Sequence, residues 1–161
     1  NLGIVIGRML AESGKTMALA ESCTGGNIAQ FITSNSGSSA YFKGGVVAYS
    51  NEIKNKLLNV PMELIEIYGA VRQQVAEAMA LGALNALNSD YAVATTGIAG
   101  PDGGSDEKPV GTVWIAVAGP SGVKSKLYNF KHNRERNIIR TTHTALNLLR
   151  TFILTDNSAS K

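Results

Sequence analysis

The sequence of 161 residues has a single cysteine, Cys23, and few charged residues, which make up 17% of the chain. A lone cysteine excludes an intrachain disulfide and a zinc site built from several cysteines. The low charged fraction, with 44% apolar residues, excludes a disordered or coiled-coil chain. No apolar run approaches the roughly 20 residues of a membrane-spanning helix. We therefore expect a folded domain without a membrane partner. The cysteine content and the lack of a recognisable signal peptide favour a cytoplasmic location.

The excess of positive charge is also small, since 15 lysines and arginines face 12 acidic residues, for a net charge of +3. The basic residues are scattered, and aromatic residues are only 6% of the chain. Direct binding of nucleic acid is therefore disfavoured, whereas a small anionic ligand remains compatible with the charge. The length corresponds to one domain, expected at residues 1–154 and followed by a polar tail at residues 155–161.

Helical and strand patterns alternate along the chain. Apolar residues at helical spacing, with capping residues beside them, predict six helices. Short apolar runs between turn signals predict five strands, the last two joined as an antiparallel hairpin. This order implies an α/β fold, a three-layer α/β/α sandwich on a mixed, mostly parallel five-stranded sheet. The helices are predicted at Leu2–Glu12, Asn27–Thr33, Asn51–Leu58, Pro61–Tyr68, Val71–Leu87 and Arg134–Phe152, and the strands at Thr16–Ala20, Gly44–Tyr49, Tyr91–Thr95, Val110–Ala118 and Val123–Phe130.

Three loops follow predicted strands, at Ser22–Gly26, Tyr49–Asn51 and Thr96–Gly104. Ligands of open α/β sheets bind outside the carboxyl ends of the strands. The three loops are therefore predicted to line one cleft.

Ser22 is the first candidate in that cleft, because it stands between a strand and a glycine-rich helix start. The amides of Cys23–Gly26 follow it at the positive end of the helix, a geometry that favours an oxyanion or a phosphate. The alternative is a serine that only caps the helix. The turn matches neither the G-x-S-x-G nucleophile elbow nor a phosphate-binding P-loop.

A serine nucleophile needs a base, and Lys54 is the candidate. It falls in the first turn of the helix that starts near Asn51, where the helix dipole and burial would both lower the pKa of its amine. Tyr49, at the end of its strand, could share a proton or orient the pair. The alternatives are an exposed lysine and a half-buried strand tyrosine. His132 and His143 fall late in the chain, and nothing specific supports a serine–histidine triad.

Other side chains of the three loops have weaker functional interpretations. Cys23 could be a thiolate at a helix N-terminus, but a small buried packing residue is the better interpretation. The carboxylates of Asp102, Asp106 and Glu107 could hold a hard cation, although a polar glycine-rich loop is the commoner explanation.

Arginines cluster at the start of the last predicted helix, at Arg134, Arg136 and Arg140. Arg136 and Arg140 are four residues apart and therefore share a helix face. They could clamp a phosphate, or they could form a solvated face. The glycines of the loop Thr96–Gly104 permit close approach of backbone to a ligand.

Several motifs in order along the chain together resemble the CinA C-terminal domain family, whose members include nicotinamide mononucleotide deamidase. The resemblance runs from about residue 2 to 153. The motifs that carry it are Ala20-Glu21-Ser22-Cys23-Thr24-Gly25-Gly26, Tyr49-Ser50-Asn51-Glu52-Ile53-Lys54, Gly69-Ala70-Val71, Thr96-Gly97-Ile98-Ala99-Gly100-Pro101-Asp102-Gly103-Gly104 and Lys108-Pro109-Val110-Gly111-Thr112-Val113.

The resemblance implies a three-layer α/β/α fold and a serine amidohydrolase that needs no metal. Its substrate would be nicotinamide mononucleotide, and its products nicotinate mononucleotide and ammonia, a step of pyridine-nucleotide recycling. By motif position the nucleophile falls on Ser22, the base on Lys54 and the supporting tyrosine on Tyr49. For the oxyanion we expect the amides of Thr24 and Gly25.

For the rest of the nucleotide we expect contacts from the loop residues Thr96, Gly97 and Gly100 or from Arg136 and Arg140. No cofactor is expected.

Two alternatives to catalysis remain open on the sequence. The chain could be a catalytically silent nucleotide-binding module of a competence- or damage-inducible CinA-like protein, or an interaction domain linked to DNA uptake or repair. Arg72 follows Gly69-Ala70-Val71 where the family usually has serine, and it could narrow the cleft, contact a phosphate or merely replace an N-cap. The alanine-rich helix Val71–Leu87 could pack on its own sheet or on another subunit, so a homo-oligomer is possible.

Overall fold

The computed structural model describes residues 1–159. Its centre is one five-stranded sheet in the order β2-β1-β3-β4-β5. Strands β2, β1 and β3 are parallel, whereas β4 and β5 form antiparallel pairs with β3 and with each other. The strands are β1 Met17–Glu21, β2 Phe42–Val47, β3 Tyr91–Gly97, β4 Thr112–Gly119 and β5 Gly122–Asn129.

Helices cover both faces of the sheet, which confirms the predicted α/β sandwich on a mixed sheet. One face packs against α1, α2 and α6, and the other packs against α5 together with α3 and α4. The helices are α1 Leu2–Ser13, α2 Asn27–Thr33, α3 Asn51–Leu58, α4 Met62–Tyr68, α5 Gln73–Ala86 and α6 Arg134–Ala159. No helix among residues 1–159 is long and apolar enough to cross a bilayer.

The strand sequences explain their places in the sheet. Every residue of β1 is buried, as expected of a central parallel strand that is covered on both faces. Strands β2 and β5 form the two edges of the sheet. Exposed and half-buried residues alternate along β2, and most residues of β5 are exposed, as expected of edge strands. The alanine-rich helix α5 buries Val75, Ala76 and Met79 against its own sheet, so the packing of this face is intramolecular.

The last helix is longer than predicted. It continues from Phe152 through Ala159, so the first part of the expected polar tail is helical. Asp156 accepts hydrogen bonds from the hydroxyls of Tyr91, at 3.2 Å, and Ser121, at 2.6 Å. These contacts fasten the end of α6 to the sheet, although the segment has few apolar residues. Residues 160 and 161 of the expected tail lie outside the described residues.

Helix α3, which carries Lys54, is packed unusually closely against α5. A Cβ atom added at Gly82 of α5 would lie 2.0 Å from the carbonyl oxygen of Leu58, the last residue of α3. Such an approach is possible only for glycine, so Gly82 helps to set the position of α3.

Gly82→Ala is therefore expected to destabilise the protein by about 1–3 kcal/mol, because the new methyl group must push α3 away. The gain in helix propensity, about 1 kcal/mol, is too small to offset this. Urea unfolding measures the effect. Asn85→Ala, at an exposed position of the same helix, is the control and should be neutral or slightly stabilising. A Gly82→Ala protein as stable as this control would contradict the prediction.

Candidate active site

Ser22 lies at the turn between β1 and α2, where the chain leaves the sheet. Its amide donates to the carbonyl oxygen of Thr95 in β3 at 3.0 Å, which holds the turn against the neighbouring strand. The preceding residue, Glu21, is 1% exposed, and its carboxylate accepts hydrogen bonds from the amides of Ile28 and Ala29 at 2.9 and 3.0 Å. The buried charge is thus compensated by the N-terminus of α2, and the turn is fixed on both sides of Ser22.

The amides after Ser22 differ in their availability. The amide of Gly25 donates to the carbonyl oxygen of Ser22 at 3.0 Å. It is therefore already used inside the turn, and its predicted part in an oxyanion hole does not match the geometry. The amides of Cys23, Thr24 and Gly26 donate to no other residue among residues 1–159. Thr24 is held by a 2.9 Å hydrogen bond between its hydroxyl and that of Thr95. The two unpaired amides nearest to Ser22, those of Cys23 and Thr24, are therefore the candidate oxyanion donors.

Lys54 reaches Ser22 from the neighbouring loop and helix. Ser50 caps α3 by accepting from the amide of Ile53 at 3.2 Å. One residue later, the Lys54 side chain turns inward and is 1% exposed. Its Nζ lies 3.0 Å from Ser22 Oγ and 3.0 Å from the carbonyl oxygen of Tyr49, with both atoms placed to accept from it. The predicted nucleophile and base therefore lie within hydrogen-bond distance.

The surroundings of Lys54 favour the neutral amine. Burial lowers the pKa of Lys54 below its ordinary value, because the charged form loses its hydration. A thiolate at Cys23 would oppose this, but burial raises the pKa of the Cys23 thiol to about 12. The thiol is thus uncharged at neutral pH, and no carboxylate contacts Nζ among residues 1–159. Cys23 is accordingly a buried neutral neighbour, not a poised thiolate.

Tyr49 contributes to the site mainly through its backbone. Its carbonyl oxygen accepts from Lys54, whereas its side chain is 60% exposed, and its hydroxyl accepts from Arg134 Nη2 at 3.2 Å. The main chain of Tyr49, not its phenol, is therefore the part of this residue that contacts Lys54. The phenol is paired with an arginine at the mouth of the site.

The three loops predicted to meet do line one cleft, which contains Ser22, Tyr49, Lys54, Thr96 and Gly97. A fourth segment, between α4 and α5, adds Ala70 and Val71 to the lining. The Thr96 hydroxyl ties these walls together, because it donates to the carbonyl oxygen of Ala70 at 2.9 Å.

The arginine in the cleft is Arg134, and Arg136 and Arg140 are not among the lining residues. Arg134 Nη1 donates to the carbonyl oxygen of Gly100 at 2.7 Å, so Gly100 acts by holding Arg134. Arg136 and Arg140 are exposed farther along α6. Their common helix face favoured Arg136 and Arg140 as phosphate ligands, but the direction of strand β5 indicates better which arginine reaches the cleft. Strand β5 ends at the same edge of the sheet as β1 and β3, so α6 begins near the cleft, and its first residue, Arg134, lines it.

Arg72 turns away from the cleft. It occupies the N-cap position of α5 without a capping hydrogen bond. Its Nε donates to the carbonyl oxygen of Tyr68 at 3.3 Å, and its guanidinium pairs with Glu107. Lys108 Nζ donates to the same Tyr68 oxygen at 2.9 Å. Arg72 thus tethers the 98–111 loop to the end of α4 and does not narrow the cleft.

The acidic residues of that loop do not form a metal site with their neighbours. Within residues 1–159, no group of three or more histidine, cysteine, aspartate or glutamate side chains is arranged to hold a metal ion. Glu107 is used in the ion pair with Arg72.

The family model of the CinA C-terminal domain matches residues 2–153 of the chain. The chain belongs to the CinA C-terminal domain family. This CinA domain is 54% identical over 147 residues to a CinA-like protein of Geobacter sp. (strain M21), an alignment that covers 91% of this chain and 36% of the relative. It is 53% identical over 150 residues to a CinA-like protein of Geobacter sulfurreducens, with 93% and 36% covered. The CinA domain thus spans about a third of the length of these curated relatives.

Solved structures agree with this assignment. The competence/damage inducible protein CihA from Agrobacterium tumefaciens superposes with a TM-score of 0.91 at 41% identity, covering 93% of this chain and 92% of that one. The competence damage-inducible protein A from Klebsiella pneumoniae gives a TM-score of 0.89 at 34% identity, with 92% of each chain covered.

Proposed function

We propose that this CinA domain is a serine amidohydrolase that converts nicotinamide mononucleotide to nicotinate mononucleotide and ammonia. The observation that carries the proposal is the 3.0 Å contact between Lys54 Nζ and Ser22 Oγ, made by a lysine that is 1% exposed. A buried amine without a carboxylate partner is costly to a fold, and such a cost is typical of a functional site. The family resemblance supplies the substrate.

The first half of the reaction forms an acyl-enzyme. Neutral Lys54 takes the proton of the Ser22 hydroxyl as Oγ attacks the carboxamide carbon of the pyridine ring. The amides of Cys23 and Thr24 stabilise the oxyanion, and each such donor is worth about 3–4 kcal/mol of barrier in comparable sites. The protonated lysine returns its proton to the leaving nitrogen, the carbon–nitrogen bond breaks and ammonia departs.

The second half releases the acid. Water attacks the ester carbon while Lys54 accepts its proton, and the same two amides stabilise the second oxyanion. Collapse of this intermediate breaks the bond to Ser22 Oγ, which recovers its proton from Lys54. The product is a carboxylic acid where the substrate carried a carboxamide, and it loses its proton to solvent to become the carboxylate.

Arg134 is the proposed partner of the substrate phosphate. Its guanidinium lies in the cleft wall and is held in place by Gly100 and Tyr49, which use only some of its five N–H donors. A planar guanidinium that is fixed in this way suits bidentate recognition of a phosphate. Thr96 and Gly97, in the same wall, remain proposed contacts of the substrate and are assigned to the ribose.

Ammonia release from nicotinamide mononucleotide by the purified chain, without added metal, tests the proposal. Turnover in the wild type supports the amidohydrolase. Binding of the nucleotide by the folded protein without any ammonia release would favour the silent nucleotide-binding module instead.

The pH dependence follows from the lowered pKa of Lys54. Only the neutral amine accepts the Ser22 proton, so kcat/KM should be low at acidic pH and rise as pH passes the Lys54 pKa. The midpoint should lie below 10.5, the ordinary lysine value. A pH–rate profile measures it. The exposed His132 near the cleft is removed in the control His132→Gln, which should keep the same midpoint. A rate that falls across this range would contradict the assignment of the base.

A further inference from the structure

Asn137 is a buried polar residue of α6 that lies behind the cleft. It is 1% exposed, and its side-chain amide is fully engaged. Nδ2 donates to the carbonyl oxygens of Ala99 and His132, both at 2.9 Å. Oδ1 accepts from the amide of His132 at 3.2 Å. One side chain thus binds the backbone N–H and carbonyl of His132, in the turn before α6, and the carbonyl of Ala99, in the loop after β3.

These two segments carry the wall of the cleft. Ala99 lines the cleft itself, and Arg134 follows His132 by two residues. The next carbonyl after Ala99 is that of Gly100, which accepts from Arg134 Nη1 at 2.7 Å. Two successive carbonyls of the wall are therefore held by two side chains of α6, with Asn137 on one and Arg134 on the other.

We propose that Asn137 is a positioning residue that sets substrate affinity by fixing Arg134 relative to the Ala99–Gly100 wall. This inference rests on the proposed function, because it assigns the wall to substrate binding. Asn137 contacts neither Ser22 nor Lys54, whose positions depend on β1, β3 and α3. Its loss should therefore weaken binding of the nucleotide more than the chemical step.

An amide is the chemical group that this position requires. Two donors face two carbonyl oxygens, and one acceptor faces an N–H group. Aspartate has nearly the same shape, but it replaces the two donors with an oxygen that faces Ala99 and His132. Loss of hydrogen bonds at buried carbonyls, together with the introduced charge, should move the wall.

The experiment compares Asn137→Asp and the smaller, uncharged Asn137→Ser with the control Thr142→Val. Thr142 is also buried in α6, and its hydroxyl lies 2.6 Å from Asn27 Oδ1 and 3.0 Å from the carbonyl oxygen of Ile138, neither of which belongs to the Ala99–Gly100 wall. For both Asn137 variants, we expect KM to rise about tenfold or more, which corresponds to a loss of about 1.4 kcal/mol or more of binding free energy. We expect kcat to change by less than about threefold, with the midpoint of the pH–rate profile unmoved. Thr142→Val should lower the melting temperature but keep the wild-type KM.

Hydrogen exchange provides a readout that needs no activity. In the folded Asn137 variants, backbone amides of residues 97–101 and 131–134 should exchange faster than in Thr142→Val, while those of β1 stay protected. Four results would each overturn the positioning role. They are a KM equal to that of Thr142→Val, a fall in kcat as large as the rise in KM, unchanged hydrogen exchange, and failure of every Asn137 variant to fold. Absence of turnover in the wild type would instead refute the proposed function, and the exchange comparison would still decide whether Asn137 holds the wall.

Discussion

Ser22→Ala is expected to lower the rate of ammonia release from nicotinamide mononucleotide by about 10⁴-fold or more, the scale seen when a serine nucleophile is removed. The hydroxyl is the atom 3.0 Å from Lys54 Nζ, and no acyl-enzyme forms without it. The substitution removes one oxygen atom from a turn held by backbone contacts, since the Ser22 amide binds Thr95 and its carbonyl binds Gly25. The fold and the cleft wall should persist, so binding of the nucleotide, measured by calorimetry, should stay within a few-fold of wild type.

Cys23→Ala is the matched control for this experiment. The thiol is adjacent in sequence and lines the same cleft, but burial raises its pKa to about 12, which makes it a poor nucleophile at neutral pH. The control should keep turnover within about tenfold of wild type. Normal turnover in Ser22→Ala, or its loss in a folded Cys23→Ala, would transfer the nucleophile from the serine to the thiol.

Lys54→Met is expected to reduce kcat by about 10⁴-fold, since acid–base catalysis by a positioned group contributes up to this factor. Methionine fills a similar volume in a site that is 1% exposed, but it offers neither a base for Ser22 nor a donor for the Tyr49 carbonyl oxygen. Steady-state kinetics with nicotinamide mononucleotide measure the loss. Nucleotide affinity should be kept, because the proposed phosphate partner is Arg134.

Two further lysine variants separate the possible roles of Lys54. Lys54→Arg keeps a positive charge but cannot lose its proton at accessible pH, so it should be as inactive as Lys54→Met if the amine is a base. Recovery of much of the activity in Lys54→Arg would show that the charge alone matters. Lys56→Met, at an exposed position of the same helix, should behave as wild type.

The order and type of the elements could be predicted from local patterns. Helices α2 and α3 have their predicted bounds, because the glycines before Asn27 and the cap at Ser50 are local signals. Strands β1 and β3 begin with apolar runs, Met17–Ala20 and Tyr91–Ala94, as expected of strands that are covered on both faces. The end of α6 was missed, because it is held by Tyr91 and Ser121, which are far away along the sequence.

The candidate site could likewise be predicted from the sequence in part, while the rest depends on tertiary packing. Ser22 and Lys54 each follow a strand or begin a helix, and the rule that loops meet at the carboxyl ends of parallel strands was enough to bring them to one cleft. Their separation of 3.0 Å, and the burial that lowers the pKa of the lysine, come from the tertiary packing of α3, which approaches α5 closely at Gly82.

By itself, the sequence determined the α/β class and predicted the three loops of the cleft with their serine and lysine, because the turn, strand and helix signals are local and the carboxyl ends of parallel strands share one edge of a sheet. Only the tertiary structure decided that Arg134 lines the cleft, held by Gly100, and that Arg72 pairs with Glu107 outside it. The physical reason is competition for partners. Which acceptor a guanidinium binds depends on the groups that the fold brings within about 3 Å of it, and Gly100 and Glu107 lie 34 and 35 residues away along the sequence from Arg134 and Arg72.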